Sequence, residues 1–175
     1  AYDIFVAKYN PDGALLWVNR AGGIDGDQGR DITVDNADNI LLTGVFSATA
    51  DFGGRTVTGT GSWDIFVASY RPDGALLWVK QAGGIDLDIP AAIATDSADN
   101  VLIAGEFWAP AEFDGTWFSP AFHEEGFVAK LGMRPDPLDP PEPDRYEMKD
   151  VVHLTEPWEH IHARCSAEIR RALLD

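Results

Sequence analysis

Two short clusters hold the residues best suited to chemistry. Asp25-Gly26-Asp27 and Asp86-Leu87-Asp88 recur at equivalent places, each after an Ala-Gly-Gly-Ile run. Alternating carboxylates on a tight turn are how hard cations such as Ca²⁺ gather oxygens, with backbone carbonyls and water completing the shell. A full calcium loop carries three or more acids with a fixed Gly and Glu, which neither copy supplies. Asp25 and Asp27 therefore stand as a weak calcium candidate, and copy two, where Leu87 and Ile89 replace Gly26 and Gln28, as a poorer one. The competing expectation is solvated aspartates that cap a turn. The second cluster is His153, His160, His162 and Cys165. Its spacing fits neither a zinc-finger pair nor HExxH, and no third group is identifiable to orient a Cys–His nucleophile. Neither cluster yields a catalytic residue or demands a cofactor. The expectation is a protein that is not an enzyme.

The composition narrows the partners. The chain has 175 residues, 45% of them hydrophobic, with six Trp and a net charge of −16. Such a field repels phosphate backbones and anionic lipid, which speaks against nucleic acid and membrane surfaces. No apolar run approaches the roughly 18 residues of a membrane span. The start at Ala1 shows no signal peptide, and a processed chain or an excised fragment would look the same. Cys165 is alone, so no internal disulfide supports the fold.

What must position these residues is a repeat. Phe5, Phe66 and Phe127 mark three copies at a spacing of 61 residues. DIFVAKYNPDGALLW at Asp3 returns as DIFVASYRPDGALLW at Asp64, and ITVDNADNILLTGVF at Ile32 as IATDSADNVLIAGEF at Ile93. The third copy runs only from Gly126 to Leu131. DIFVASY carries apolar residues on both faces, as a strand between two sheets should. Pro72-Asp73-Gly74 predicts a type I turn with Gly at the φ > 0 position of a three-residue hairpin loop. A third strand, an Asp/Asn turn and a fourth strand complete the unit, the strand count of a propeller blade.

In this order of motifs (hairpin, Gly-Gly turn, Asp-Asn turn) the chain resembles the bacterial SBBP-type β-propeller repeat from about Asp3 to Leu131. The resemblance implies tandem four-stranded blades and a surface-exposed or secreted bacterial scaffold that binds things. It carries over no catalytic residue. The period exceeds the 40–50 residues usual for blades, and the excess lies between Ser47 and Trp63 and between Trp108 and Glu124.

The predicted fold is thus all-β, with about two and a quarter blades over 1–132. They divide as a partial blade at 1–29, a full blade at 30–82 and a partial blade at 91–132. Two, four and three strands make nine, too few to close a ring of 4–8 blades. Open edges and faces then call for completion by self-association, a longer parent chain or another protein.

Differences between the copies mark special surfaces. Ser47, Thr56, Val57 and Gly61 become Trp108, Trp117, Phe118 and Phe122. These aromatics are expected to cover the flank of the third blade or pack on the tail, with a glycan platform or a partner contact as alternatives.

The tail changes character. Residues 134–144 hold five Pro in eleven residues, so 133–147 reads as a semi-rigid linker or arm. Within 148–175 a helix is predicted over about 156–174. Thr155 is its N-cap, Glu156 and Glu159 lie in its first turn, and Arg170 and Arg171 near its end. Trp158, Ile161, Cys165, Ile169 and Leu173 form one apolar stripe that must dock. The leading expectation is a non-enzymatic interaction or assembly module that engages a protein partner or further copies of itself. A glycan- or calcium-binding surface protein is the first alternative. The second is a subunit or regulatory fragment of a larger enzyme system. The expected location is extracellular or at the bacterial cell surface, with the cytoplasm open.

Overall fold

The computed structural model describes residues 2–120, 124–133 and 146–154. Among them lie fourteen strands and no helix. The strands are β1 (Ile4–Tyr9), β2 (Leu15–Gly23), β3 (Gln28–Val34), β4 (Ile40–Phe46), β5 (Thr49–Asp51), β6 (Thr56–Thr58) and β7 (Asp64–Tyr70). They continue as β8 (Leu76–Gly84), β9 (Asp88–Thr95), β10 (Val101–Phe107), β11 (Ala111–Phe113), β12 (Thr116–Phe118), β13 (Glu125–Met133) and β14 (Tyr146–Leu154).

Three antiparallel sheets result, ordered β1-β2-β5-β6, β3-β4-β7-β8-β11-β12 and β9-β10-β13-β14. The second and third repeat the same up-and-down run of four strands. The predicted turns make the hairpins: Arg71 N–H donates to the Ala75 carbonyl at 2.8 Å, and Gly74 takes φ +91°. In the Asp/Asn turns, Asp38 and Asp99 sit at φ 60° and 59°, while the Asp35 and Asp96 carboxylates accept the amides of Asn39 and Asn100. Asp tolerates that left-handed geometry because its side chain bonds neighbouring backbone.

Two apolar clusters hold the sheets face to face. Ile4, Val6 and Ala21 of the first sheet meet Leu42, Phe66 and Tyr70 of the second. Leu41, Ile65, Val67 and Trp78 on the other face of the second sheet meet Ile93, Ile103, Phe127 and Leu131 of the third. β7 is buried throughout its length, as its two apolar faces predicted. Polar ties reinforce the stack, with Trp17 Nε1–H donating to the Pro72 carbonyl at 3.0 Å and Ile93 N–H to Asp31 Oδ2 at 2.8 Å.

Two features depart from the sequence expectation. The long connections are not covers over a free flank. Each folds into a short hairpin that pairs with the last strand of the preceding repeat unit, β5 with β2 and β11 with β8. The Gly-Gly pair makes this docking fit: a Cβ on Gly23 would strike the Thr49 carbonyl, and one on Gly84 the Pro110 carbonyl. The second departure is β14, which pairs with β13 from Gly126↔Leu154 to Met133↔Tyr146. The third unit therefore has four strands where three were counted, and β14 begins at Tyr146, inside the span assigned to the linker. Residues 134–145 and the helix predicted over about 156–174 lie outside the described residues.

Candidate interaction surface

Each repeat unit turns one face toward its predecessor. In the second unit Phe66 on that face is fully buried, its ring 4.8 Å from that of Phe52 on the β5–β6 hairpin. In the third, Phe127 is equally buried, 4.8 Å from Phe113 on the β11–β12 hairpin. The first unit has the same residue at the same place, yet Phe5 is 74% exposed. Tyr9 repeats the contrast at 60% exposure, whereas Tyr70 is only 2% exposed and its burial pushes the phenol up to about 12. Val18, paired with Ala7 on this face, and Leu15, paired with Tyr9, are exposed as well.

The aromatic connection divides in two. Phe113 is buried and Phe118 packs beside it with rings 5.8 Å apart, so both stabilise the junction between the second and third units. Trp117 is 59% exposed and Trp108 stands at the edge of exposure. Trp117 borders a half-open cleft of about 460 Å³ between the two hairpins, with Lys80, Gln81, Glu112 and Asp114 around it. Most of those polar groups already have structural roles. Gln81 Oε1 accepts Thr58 N–H and its amide donates to the Thr58 carbonyl, both at 2.9 Å, which fastens β6 to β8. Glu112 accepts Gly115 N–H at 3.0 Å, and Lys80 lies 3.8 Å from Asp114. Asp114 and Gly115, at φ 50° and 83°, form the two-residue turn of that hairpin. Asp-Gly between apolar residues is the sequence signal that identifies it.

Of the repeated aspartates, the second of each pair is a buried turn cap and the first is solvated. Asp27 and Asp88 are buried, while Asp25 is exposed. Asp27 accepts the amides of Gly23 at 2.8 Å and Ser47 at 3.4 Å, and Asp88 accepts that of Gly84 at 2.7 Å. Gly83, at φ +150°, lies between the Asp64 and Asp88 carboxylates, and a side chain there would meet both. Burial pushes the Asp88 carboxyl up to about 7 against the pull of the Gly84 amide, and the charges of Asp64 and Asp86 raise it further. Burial raises Asp27 and Asp64 as well. Among the described residues no group of three or more His, Cys, Asp or Glu is placed to hold a metal ion. Asp25 and Asp27 do not converge with a third ligand among the described residues. Phe122, Trp158, Ile161, Cys165, Ile169 and Leu173 lie outside the described residues.

No family model matches the chain. It is 27% identical, over 55% of its length, to an uncharacterized WD repeat-containing protein of Acanthamoeba polyphaga mimivirus. The match covers 8% of that protein. Among the described residues no helix is long and apolar enough to cross a membrane.

Proposed function

We propose that the chain is a non-enzymatic protein-interaction and assembly module, part of a propeller-type repeat array. The distant likeness to a WD repeat-containing protein supports it, because WD repeats build four-stranded propeller blades. The strand order of the second and third sheets and the 61-residue period support tandem four-stranded units; in this reading they are blades of the SBBP type, and a bacterial surface is the location proposed with it. The observation that carries the reading is the uncovered face of Phe5, Tyr9, Leu15 and Val18, whose counterparts one unit later lie against a neighbouring sheet. The tail stripe from Trp158 to Leu173 is a second docking element in this reading.

Light scattering over a concentration series tests it. The intact chain should exceed its 19.1 kDa monomer mass as concentration rises, through association of the bare apolar face. Phe5→Ser with Val18→Ser should hold it near the monomer without lowering Tm, and truncation after Leu154 separates the tail's share. A chain that stays monomeric at every concentration, with the apolar face intact, would count against the reading.

A further inference from the structure

We infer that the cleft between the β5–β6 and β11–β12 hairpins binds the guanidinium group of an arginine side chain presented by a partner protein, stacked on Trp117 and held by Glu112. The cleft shares no residue with the Phe5 face, so the inference goes beyond the assembly reading and does not need self-association. At about 460 Å³ it has the size of a small-ligand pocket. Three observations fix the class of ligand. First, an aromatic face stands beside a carboxylate. Glu112 and Trp117 are directly opposed in the β11–β12 register, so both side chains lie on one face of that hairpin, and both are exposed. Cross-strand partners of this kind have Cβ atoms about 5 Å apart. Glu112 Oε1 accepts the Gly115 amide at 3.0 Å, and its other oxygen has no partner among the described residues. A guanidinium stacks on aromatic rings and donates in its own plane, which matches that pairing.

Second, the cleft is negative. Among the described residues Asp64, Glu112 and Asp114 line it against a single cation, Lys80, which lies 3.8 Å from Asp114. Asp64 is 3% exposed and accepts the Gly61 amide at 3.1 Å. No Lys or Arg among the described residues is in ion-pair reach of it. A surplus of carboxylates on low-dielectric walls focuses the field, and the net charge of −16 adds a long-range pull on cations.

Third, the pairing belongs to one copy of the repeat. The turn-capping acid is common to both hairpins, since Asp51 accepts the Gly54 amide at 2.7 Å as Glu112 accepts that of Gly115. Trp117, Asp114 and Lys80 stand where the preceding copy has Thr56, Gly53 and Asn19. The scaffold does not require them, because the β5–β6 hairpin folds and pairs with β2 without them. A neutral sugar, the other ligand that an exposed Trp attracts, draws nothing from the surplus charge.

The test titrates the peptide acetyl-Gly-Arg-Gly-amide into the intact, nitrogen-15-labelled chain. NMR follows the Trp117 indole N–H, assigned by its loss in Trp117→Phe, and the Gly115 amide. Saturable shifts of both are expected. The same peptide with neutral citrulline in place of arginine should bind at least about tenfold more weakly, and so should the arginine peptide to Glu112→Gln. Trp117→Ala should abolish the Gly115 shift, whereas Trp117→Phe keeps it. Tm should not change in these variants, because both positions are exposed and Gln retains an oxygen for the Gly115 amide. No saturable shift, equal affinity for the citrulline peptide, or indifference to Glu112→Gln overturns the inference. So does tighter binding of agmatine, a free guanidine, or of cellohexaose than of the arginine peptide. An indole shift produced without peptide by Arg170→Gln with Arg171→Gln overturns it too, by making the chain's own end the occupant. The two proposals fail separately: association without peptide binding sinks this one alone, and peptide binding by a strictly monomeric chain sinks the other.

Discussion

Replacing Asp88 by Asn isolates the electrostatic cost of a buried carboxylate. Asp88 is 1% exposed, and its carboxyl is pushed from the ordinary 3.8 up to about 7. Asn keeps an oxygen for the Gly84 amide and removes the charge. A raised carboxyl pKa means that the folded chain binds a proton which the unfolded chain has already lost. Stability therefore rises as pH falls from about 7 toward 4, with a slope of up to about 1.4 kcal/mol per pH unit. Above pH 7 both states are ionised and the full cost, on the order of 4 kcal/mol, is present. Urea unfolding at pH 5, 6, 7 and 8 measures it. The wild type should gain stability as the pH falls. Asp88→Asn should be the more stable protein at pH 8, with the two converging toward pH 4. Burial raises Asp27 and Asp64 in the same direction, so the variant should keep a residual slope smaller than that of the wild type. A flat wild-type profile, or a variant with the full slope, would refute the reasoning.

Two further substitutions probe the junctions between units. Gly84→Ala places a methyl group against the Pro110 carbonyl, so β11 must leave β8. The expected loss is about 1–3 kcal/mol in urea unfolding, with faster hydrogen exchange in Ala111–Phe118. Phe66→Ala and Phe5→Ala remove the same side chain from equivalent places. The first should cost about 3–5 kcal/mol and the second less than about 0.5 kcal/mol in the isolated chain, as denaturation midpoints will report.

Much of this architecture was legible in the residues, because the local rules are strong there. Pro72-Asp73-Gly74 and the Asp/Asn turns specify their backbone angles directly, and the doubly apolar DIFVASY specifies burial on both faces. The short hairpins were harder to see. Three-residue strands carry too little alternation to register, and the one available signal, Asp114-Gly115 at the turn, was not used. Their partner is also the preceding unit rather than their own, and local sequence says nothing of that. β14 escaped because charges interrupt its apolar residues and a Pro-rich segment precedes it. Asp27 and Asp88 were read correctly as caps but wrongly as solvated. Their burial comes from long-range stacking, which the motif does not encode. The exposure of Phe5 is the same lesson reversed: an identical residue in an identical motif differs only by what lies next to it.

The backward reach of the two hairpins puts the genetic period and the mechanical period out of phase. A 61-residue segment excised at its sheet boundary takes away a piece of its neighbour's edge and leaves its own behind. Units linked this way melt as a block rather than one by one, since the loss of any one strips a strand pair from the one before it. Gain or loss of whole copies during gene duplication then preserves the seams only when the crossover falls within matching hairpins.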